Sequence, residues 1–367
     1  MRIYMLTATH PQKDMGGGGL HARELIRIGE QLGHRIIVYT ELEHLPDIPP
    51  DFYWLSNMCG KFSAEKVLEK IGHEKYVVHE DAYSLLCPQP TREYKLCFEY
   101  EADTISMLLE DPDSRKAFPP GTYDIALDVR PRYTTADSGY PSPEELKTTY
   151  DDCSKICRLW DLIPLMSNCR AMVVDSPMHA MIWAGIYPDV GDKLIILDPP
   201  VPVDKFHHST DKVPNTYAYV GTIAKGKGFD RCATFVRNRG GQLMAVGDVH
   251  HTIDMEDYKD VQYYGSLPYD SVPNFIRRCQ CLIHLPTWPE PQGRIITEGL
   301  LLGSLVIGNT RVGALSYEWL RDYVSISKQD FPDFSGIMLA QVTDVEGFRD
   351  RIHKAPYKFW GDINDRV

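Results

Sequence analysis

Nothing in this 367-residue sequence approaches the ~18 continuous apolar residues that a membrane-crossing helix requires. Its first residues, MRIYMLTATHPQKD, lack the apolar core and small-residue cleavage site of a secretory signal and read instead as a first strand. Positive charge is scarce: 39 Lys and Arg stand against 51 Asp and Glu, a net −12 that disfavours nonspecific attachment to nucleic acid or an anionic membrane. The cysteines number nine, an odd and scattered set unlike a secreted disulfide scaffold. No CxxC pair accompanies Cys153, Cys157 and Cys169, so these read as core thiols rather than zinc ligands. GxGxxG, the P-loop ending, low-complexity tracts and short-period repeats are all absent. Together these absences lead us to expect a cytoplasmic globular protein with no transmembrane segment.

At about 150 residues per domain, the length suits two domains, each able to bury its own core. Strand-like runs alternate with amphipathic stretches, the pattern of parallel sheets built from βαβ crossovers. In the first half, strands are expected at 2–9, 35–40, 75–79, 94–100, 123–129, 171–176 and 193–198, with a helix at 20–33. Residues 198–215 carry four prolines and should form an interdomain linker outside any helix or central strand. Beyond it the alternation restarts, with strands at 216–221, 242–247, 261–265, 281–285 and 304–309 and helices near 228–238, 271–279 and 293–302. Domains 1–200 and 201–350, followed by a C-terminal helix at 351–367, follow from this pattern. Two doubly wound domains bind ligands beyond the carboxyl ends of their strands, in the cleft between them. Residues 130–165 read as irregular surface. Asp111 and Asp113, the only Asp-x-Asp, read as a surface turn, and the His207–His208 and His250–His251 pairs as surface loops.

Three segments could carry chemistry. Gly16 to Gly19, between the first strand and first helix, leave backbone N–H groups unshielded where a helix N-terminus favours an anion such as phosphate. Gly221-Thr222-Ile223-Ala224-Lys225-Gly226-Lys227-Gly228 interleaves two lysines with glycines just before a helix, a second place for phosphate oxygens or else a solvated basic turn. In PTWPEPQGRIITEG, Glu290 and Glu298 lie eight positions apart around the start of an apolar helix. A loop carboxylate can accept from sugar hydroxyls and a helix carboxylate from a ribose diol, while the helix start offers N–H groups to a diphosphate. Plain alternatives are a surface Glu290 and a Glu298 that complements the helix dipole.

These segments, in this order, resemble the retaining nucleotide-sugar glycosyltransferases of GT-B fold, in particular the large family numbered four. The carrying residues are GGGGLHARELIRIGEQLGHRIIVYT at 16–40, IILDPPVPVDKF at 195–206, YVGTIAKGKGFD at 219–230, MAVGD at 244–248, and 261–309 with its Glu-x7-Glu, followed by RVGALSYEW at 311–319. The resemblance implies an α/β protein of two Rossmann-like doubly wound domains facing across a cleft, with the C-terminal helix at 351–367 crossing back to the first domain through the aromatics of APYKFWGDI. It implies transfer of a sugar from a nucleoside diphosphate sugar, UDP- or GDP-linked, to a hydroxyl of a glycan, lipid or small molecule, with retention and without a metal or other cofactor. Glu290 matches the residue that binds donor-sugar hydroxyls, Glu298 the ribose ligand, and Lys227 the diphosphate lysine. Gly18 and Gly19 match glycines that approach the diphosphate, met from the other side by the N–H groups of Gln292, Gly293, Arg294 and Ile295. Gly265, Ser266 and Leu267 lie where the nucleobase is lined. Thr222 replaces the family's diphosphate arginine, for which Lys225 is a displaced substitute, and His79 is the first-domain histidine nearest the family's pattern. No pair of carboxylates suited to double displacement is visible, so catalysis would rest on electrostatic stabilisation of the leaving diphosphate. Two further functions stay open: transfer to hydroxylated bases of DNA, as in some viral enzymes, and a binding subunit that has lost catalysis.

Overall fold

A computed structural model describes residues 1–14, 16–58, 61–72, 74–81, 162–251 and 253–367. Strands expected at 94–100 and 123–129, the irregular segment 130–161, Asp111, Asp113, Cys153 and Cys157 lie outside them. Among the described residues no helix is long and apolar enough to cross a membrane. The chain divides into two compact units, Met1–Leu197 with Tyr357–Val367, and Asp198–Pro356.

In the first unit, six parallel strands run β2-β1-β3-β4-β5-β6. They are β1 (Arg2–Leu6), β2 (Arg35–Tyr39), β3 (Phe52–Ser56), β4 (Tyr76–Glu80), β5 (Ala171–Val174) and β6 (Leu194–Ile196). Apart from β2 and the short β6 these are nearly continuous buried runs, as befits strands covered on both faces. Helix α1 (Gly17–Gln31) starts within the glycine run and lays Leu25 and Ile28 on the sheet. Phe359, Trp360 and Ile363 complete this core, and the Trp360 indole donates to the Leu25 carbonyl at 2.9 Å. Gly29 makes room for that indole: a β-carbon there would lie 2.6 Å from the ring. Helices α2 (Ala64–Ile71), α3 (Ile163–Asn168) and α4 (Pro177–Ile186) complete the unit's helices among the described residues.

The second unit carries seven strands in the order β12-β13-β11-β10-β7-β8-β9. Five are parallel: β7 (Val213–Val220), β8 (Gln242–Val246), β9 (Gln262–Tyr263), β10 (Cys279–Ile283) and β11 (Leu305–Asn309). The others, β12 (Val324–Phe331) and β13 (Phe334–Val342), form an antiparallel hairpin on the edge of β11, an addition to the purely parallel sheet expected. A further correction concerns Pro214, which lies inside the central strand β7. The proline is tolerated there because the strand's first residues are exposed and its register shifts against β10. Helices α5 (Phe229–Arg237), α6 (Val272–Arg278) and α7 (Arg294–Leu301) connect the parallel strands. The last helix, α8 (Val345–Arg366), begins in this unit; in it Arg351 and Trp319 both donate to the Asp198 carboxylate, at 2.6 and 2.9 Å.

The chain passes from β7 outward to β8 and β9, then returns to β10 on the other side of β7. The strand order therefore reverses between β7 and β10, and the loops leaving their carboxyl ends meet at the point where open α/β sheets take their ligands.

Candidate functional site

Those two loops are the lysine loop and the segment bearing Glu290. The Thr287 N–H donates to the Gly226 carbonyl at 3.1 Å, and Gly228 lies so close to the Leu285 carbonyl that a side chain would overlap it. Gly228 also has φ +74° and caps α5, which makes glycine the fitting residue on two grounds. Across this junction Lys227 Nζ donates to both Glu290 oxygens, at 2.9 and 2.7 Å, and lies 4.6 Å from the centre of the Trp288 ring. The pair is partly open, with side-chain exposures of 29% and 14%. Glu290 is fixed from below: its N–H donates to the Arg311 carbonyl and its own carbonyl accepts from Gly313.

Helix α7 starts just after, from Gly293 at φ +70° and without a side-chain cap, so its N-terminal dipole is directed at this junction's own segment. Gln292 is buried and Ile295 half-buried. Arg294 turns inward: its Nε donates to Glu298 Oε1 at 2.7 Å, one Nη to the Tyr269 hydroxyl at 2.6 Å and the other to the Pro200 carbonyl at 3.2 Å. Tyr269 donates in turn to Glu298 Oε1 at 2.8 Å. Burial, and then the Glu298 carboxylate, pushes the phenol up, so it stays a donor. The Arg294 guanidinium is thus committed to a buried pair, and a diphosphate at this helix would meet main chain rather than that side chain.

On the other side of β7, the loops after β7, β8 and β9 touch. Gly221 donates to the Val246 carbonyl at 3.1 Å and Gly247 to the Gly265 carbonyl at 3.0 Å. Thr222 and Lys225 are exposed here, the Thr222 carbonyl accepting from the Tyr219 hydroxyl at 2.8 Å. Ser266 is exposed and donates to Asp248, whereas Leu267 is half-buried. The structure therefore joins Lys227 with Glu290, Arg294 with Glu298, and the loops of Thr222 and Gly265 through Gly247.

The first unit has its own polar cluster at the carboxyl ends of its strands. His79, at the end of β4, is buried and stacks on Trp54 at 5.9 Å, with Nε2 3.4 Å from Asp175 Oδ1. His21 Nδ1 lies 3.7 Å from the other Asp175 oxygen. Burial would raise the Asp175 carboxyl, but the two histidines outweigh it and hold it well below the usual range. Asp81, two residues beyond His79, faces the first turn of α1: a β-carbon on Gly18 would overlap its carboxylate, and one on Gly19 would overlap Asp14. The close approach that glycine permits at α1 is therefore taken up by the chain's own Asp81 and Asp14. His21, Asp81, Asp175, Tyr269, Trp288 and His284 went unmarked in the sequence. The i, i+4 spacing of Arg294 and Glu298 was the one local signal of their pairing.

No protein-family model matches the chain, and no curated protein matches it. Among solved structures, it is similar to AviGT4, a glycosyltransferase involved in avilamycin A biosynthesis, at 11% identity and TM-score 0.53, covering 99% of this chain and 94% of that one. HepE of Anabaena in complex with UDP and glucose matches at 13% identity over 96% of this chain and 89% of its own, with TM-score 0.48. WaaG, a glycosyltransferase involved in lipopolysaccharide biosynthesis, matches at 12% identity over 97% and 90%, with TM-score 0.46. The first likeness establishes the fold: two Rossmann-like domains of GT-B type.

Proposed function

We propose that this GT-B protein is a glycosyltransferase that takes its sugar from a nucleoside diphosphate sugar and passes it to an acceptor hydroxyl with retention of configuration. The Lys227–Glu290 pair carries the reading. A cation and a carboxylate are held together, partly exposed, at the strand-order reversal, between two helices whose starts lack side-chain caps. Lys227 supplies a charge-assisted donor to a diphosphate, and Glu290 supplies an acceptor for sugar hydroxyls. The half-exposed loop at Gly265 to Leu267 suits a nucleobase, and Glu298, fixed by Arg294 and Tyr269, suits the ribose. Negative charge building on the departing diphosphate would be met by Lys227 and the helix dipoles.

The test is a nucleotide-sugar panel followed by mass spectrometry, alongside thermal unfolding with UDP, GDP and ADP. At ~100 times its dissociation constant, a nucleoside diphosphate should stabilise the fold by about 2.7 kcal/mol. Turnover of one donor, abolished in Glu290→Ala, is the expected result; no thermal shift with any of the three diphosphates would refute the reading.

A further inference from the structure

His284 stands immediately beyond β10, 5% exposed, between the buried Ile283 and Leu285. Its main-chain N–H is engaged by the Ile307 carbonyl at 2.8 Å, but neither ring nitrogen has a hydrogen-bond partner among the described residues. Glu290 is a charged neighbour, with His284 Nε2 4.0 Å from its Oε2. Burial pushes the imidazole down to about 4, Glu290 opposing and Lys227 adding to the shift, so the ring is neutral and carries one N–H at ordinary pH. An imidazole buried in this way costs folding free energy that a leucine would not. A persistent buried polar group of this kind points to a partner that it meets in another state.

Glu290 is that partner. In the structure both of its oxygens are held by Lys227. A diphosphate brings more negative charge than a carboxylate and competes for the same ammonium. Once Lys227 turns to phosphate, a largely buried Glu290 needs another donor, and His284 Nε2 lies about 1 Å beyond hydrogen-bond length. We infer that His284 is a positioning residue: when a nucleoside diphosphate sugar binds, Glu290 exchanges Lys227 for the His284 N–H and is thereby aimed at the sugar hydroxyls. This rests on the reading of Lys227 and Glu290 as donor-facing.

Two measurements test it. In the first, His284→Leu and His284→Gln are compared with the parent chain for binding of UDP and UDP-glucose (or the GDP or ADP counterparts, whichever base the panel selects) and for turnover. Leucine should raise the unliganded melting temperature, yet weaken diphosphate binding about tenfold, because Glu290 then gives up Lys227 with no other donor, and lower kcat for the sugar donor at least tenfold. Glutamine, which keeps an N–H near the same place, should restore most of kcat. Parental kcat in the leucine variant, or a glutamine variant no better than leucine, overturns the inference. The second measurement needs no donor: the His284 ring is observed by NMR in the parent chain and in Lys227→Ala. Either charge moves the ring's titration midpoint whether or not Glu290 turns, so the readout is the Nε2–H signal: exchange predicts a slowly exchanging, downfield ring N–H in Lys227→Ala that the parent lacks, and its absence overturns the inference. A parent chain that binds no nucleotide would sink the donor reading, while this signal would still decide whether Glu290 turns to His284.

Discussion

The Asp81 carboxylate rests against Gly18 in the first turn of α1, with no room for a β-carbon between them. The chain's own carboxyl thus occupies the close approach that the glycine run opens at the helix N-terminus. That contact ties the start of α1 to the end of β4 and brings Asp81 beside Asp175, His79 and Asp14.

Stability should depend on pH through this contact. Burial, then Asp175, pushes the Asp81 carboxyl up to about 7 from 3.8. Between those values the folded chain holds a proton that the unfolded chain has lost. The contribution is therefore full below about pH 4 and disappears as pH rises to about 7. Asp175 runs the other way: its lowered value contributes above pH 3.8 and is lost on acidification. Urea unfolding of Asp81→Asn should show the decline between pH 4 and 7 flattened and the acid limb kept; an unchanged slope would contradict this.

Lys227→Ala should weaken nucleoside diphosphate binding by about 10- to 100-fold, the worth of one charge-assisted hydrogen bond. Isothermal calorimetry reads this directly. The residual affinity of the variant should also fall less steeply with added salt than that of the parent chain. Equal affinities would remove Lys227 from the site.

Glu298 is a hazardous residue to delete. Its carboxylate offsets the buried Arg294 guanidinium, and Glu298→Leu would leave that charge unpaired at a cost of about 3–5 kcal/mol. Arg294→Met combined with Glu298→Leu should regain much of this loss in chemical denaturation. Should the double variant prove no more stable than Glu298→Leu, the pair is not energetically coupled. Loss of ligand binding in the single variant is uninformative without its unfolding curve.

Gly228→Ala should cost about 2–4 kcal/mol, because a left-handed residue and an overlap with the Leu285 carbonyl coincide. Gly240, at φ +62° in the turn that ends α5 and with open space around it, is the control, and its alanine variant should lose only about 1 kcal/mol. Similar losses at the two positions would mean that the approach of the lysine loop to β10 is not rigid.

The parallel strands of both units were legible because each is a short apolar run closed by turn residues. β3 was not: Phe52–Ser56 is buried throughout, shows no alternation and follows Pro49-Pro50, so periodicity gave no signal. The β12–β13 hairpin was hidden for the opposite reason, since VSISKQDF is largely exposed and reads as loop. A resemblance in loop order named Glu290 and Lys227 together, and the structure brings the two side chains into contact. Their salt bridge, and the roles of Trp288, His284 and Tyr269, arise only when strand order sets distant segments side by side. His79 shows the same limit: its neighbours Trp54, His21 and Asp175 come from three other places in the chain.

The hairpin that the sequence concealed has a further effect at the sheet's border. Without β12 and β13, the apolar strand β11 would present its backbone to any passing chain, a template for cross-molecular strand addition. With them, the border is a strand bearing Lys328 and Asp330, and the opposite border is the two-residue β9. Damage to this hairpin, far along the chain from the lysine loop, would accordingly surface as insolubility before any defect in chemistry could be measured.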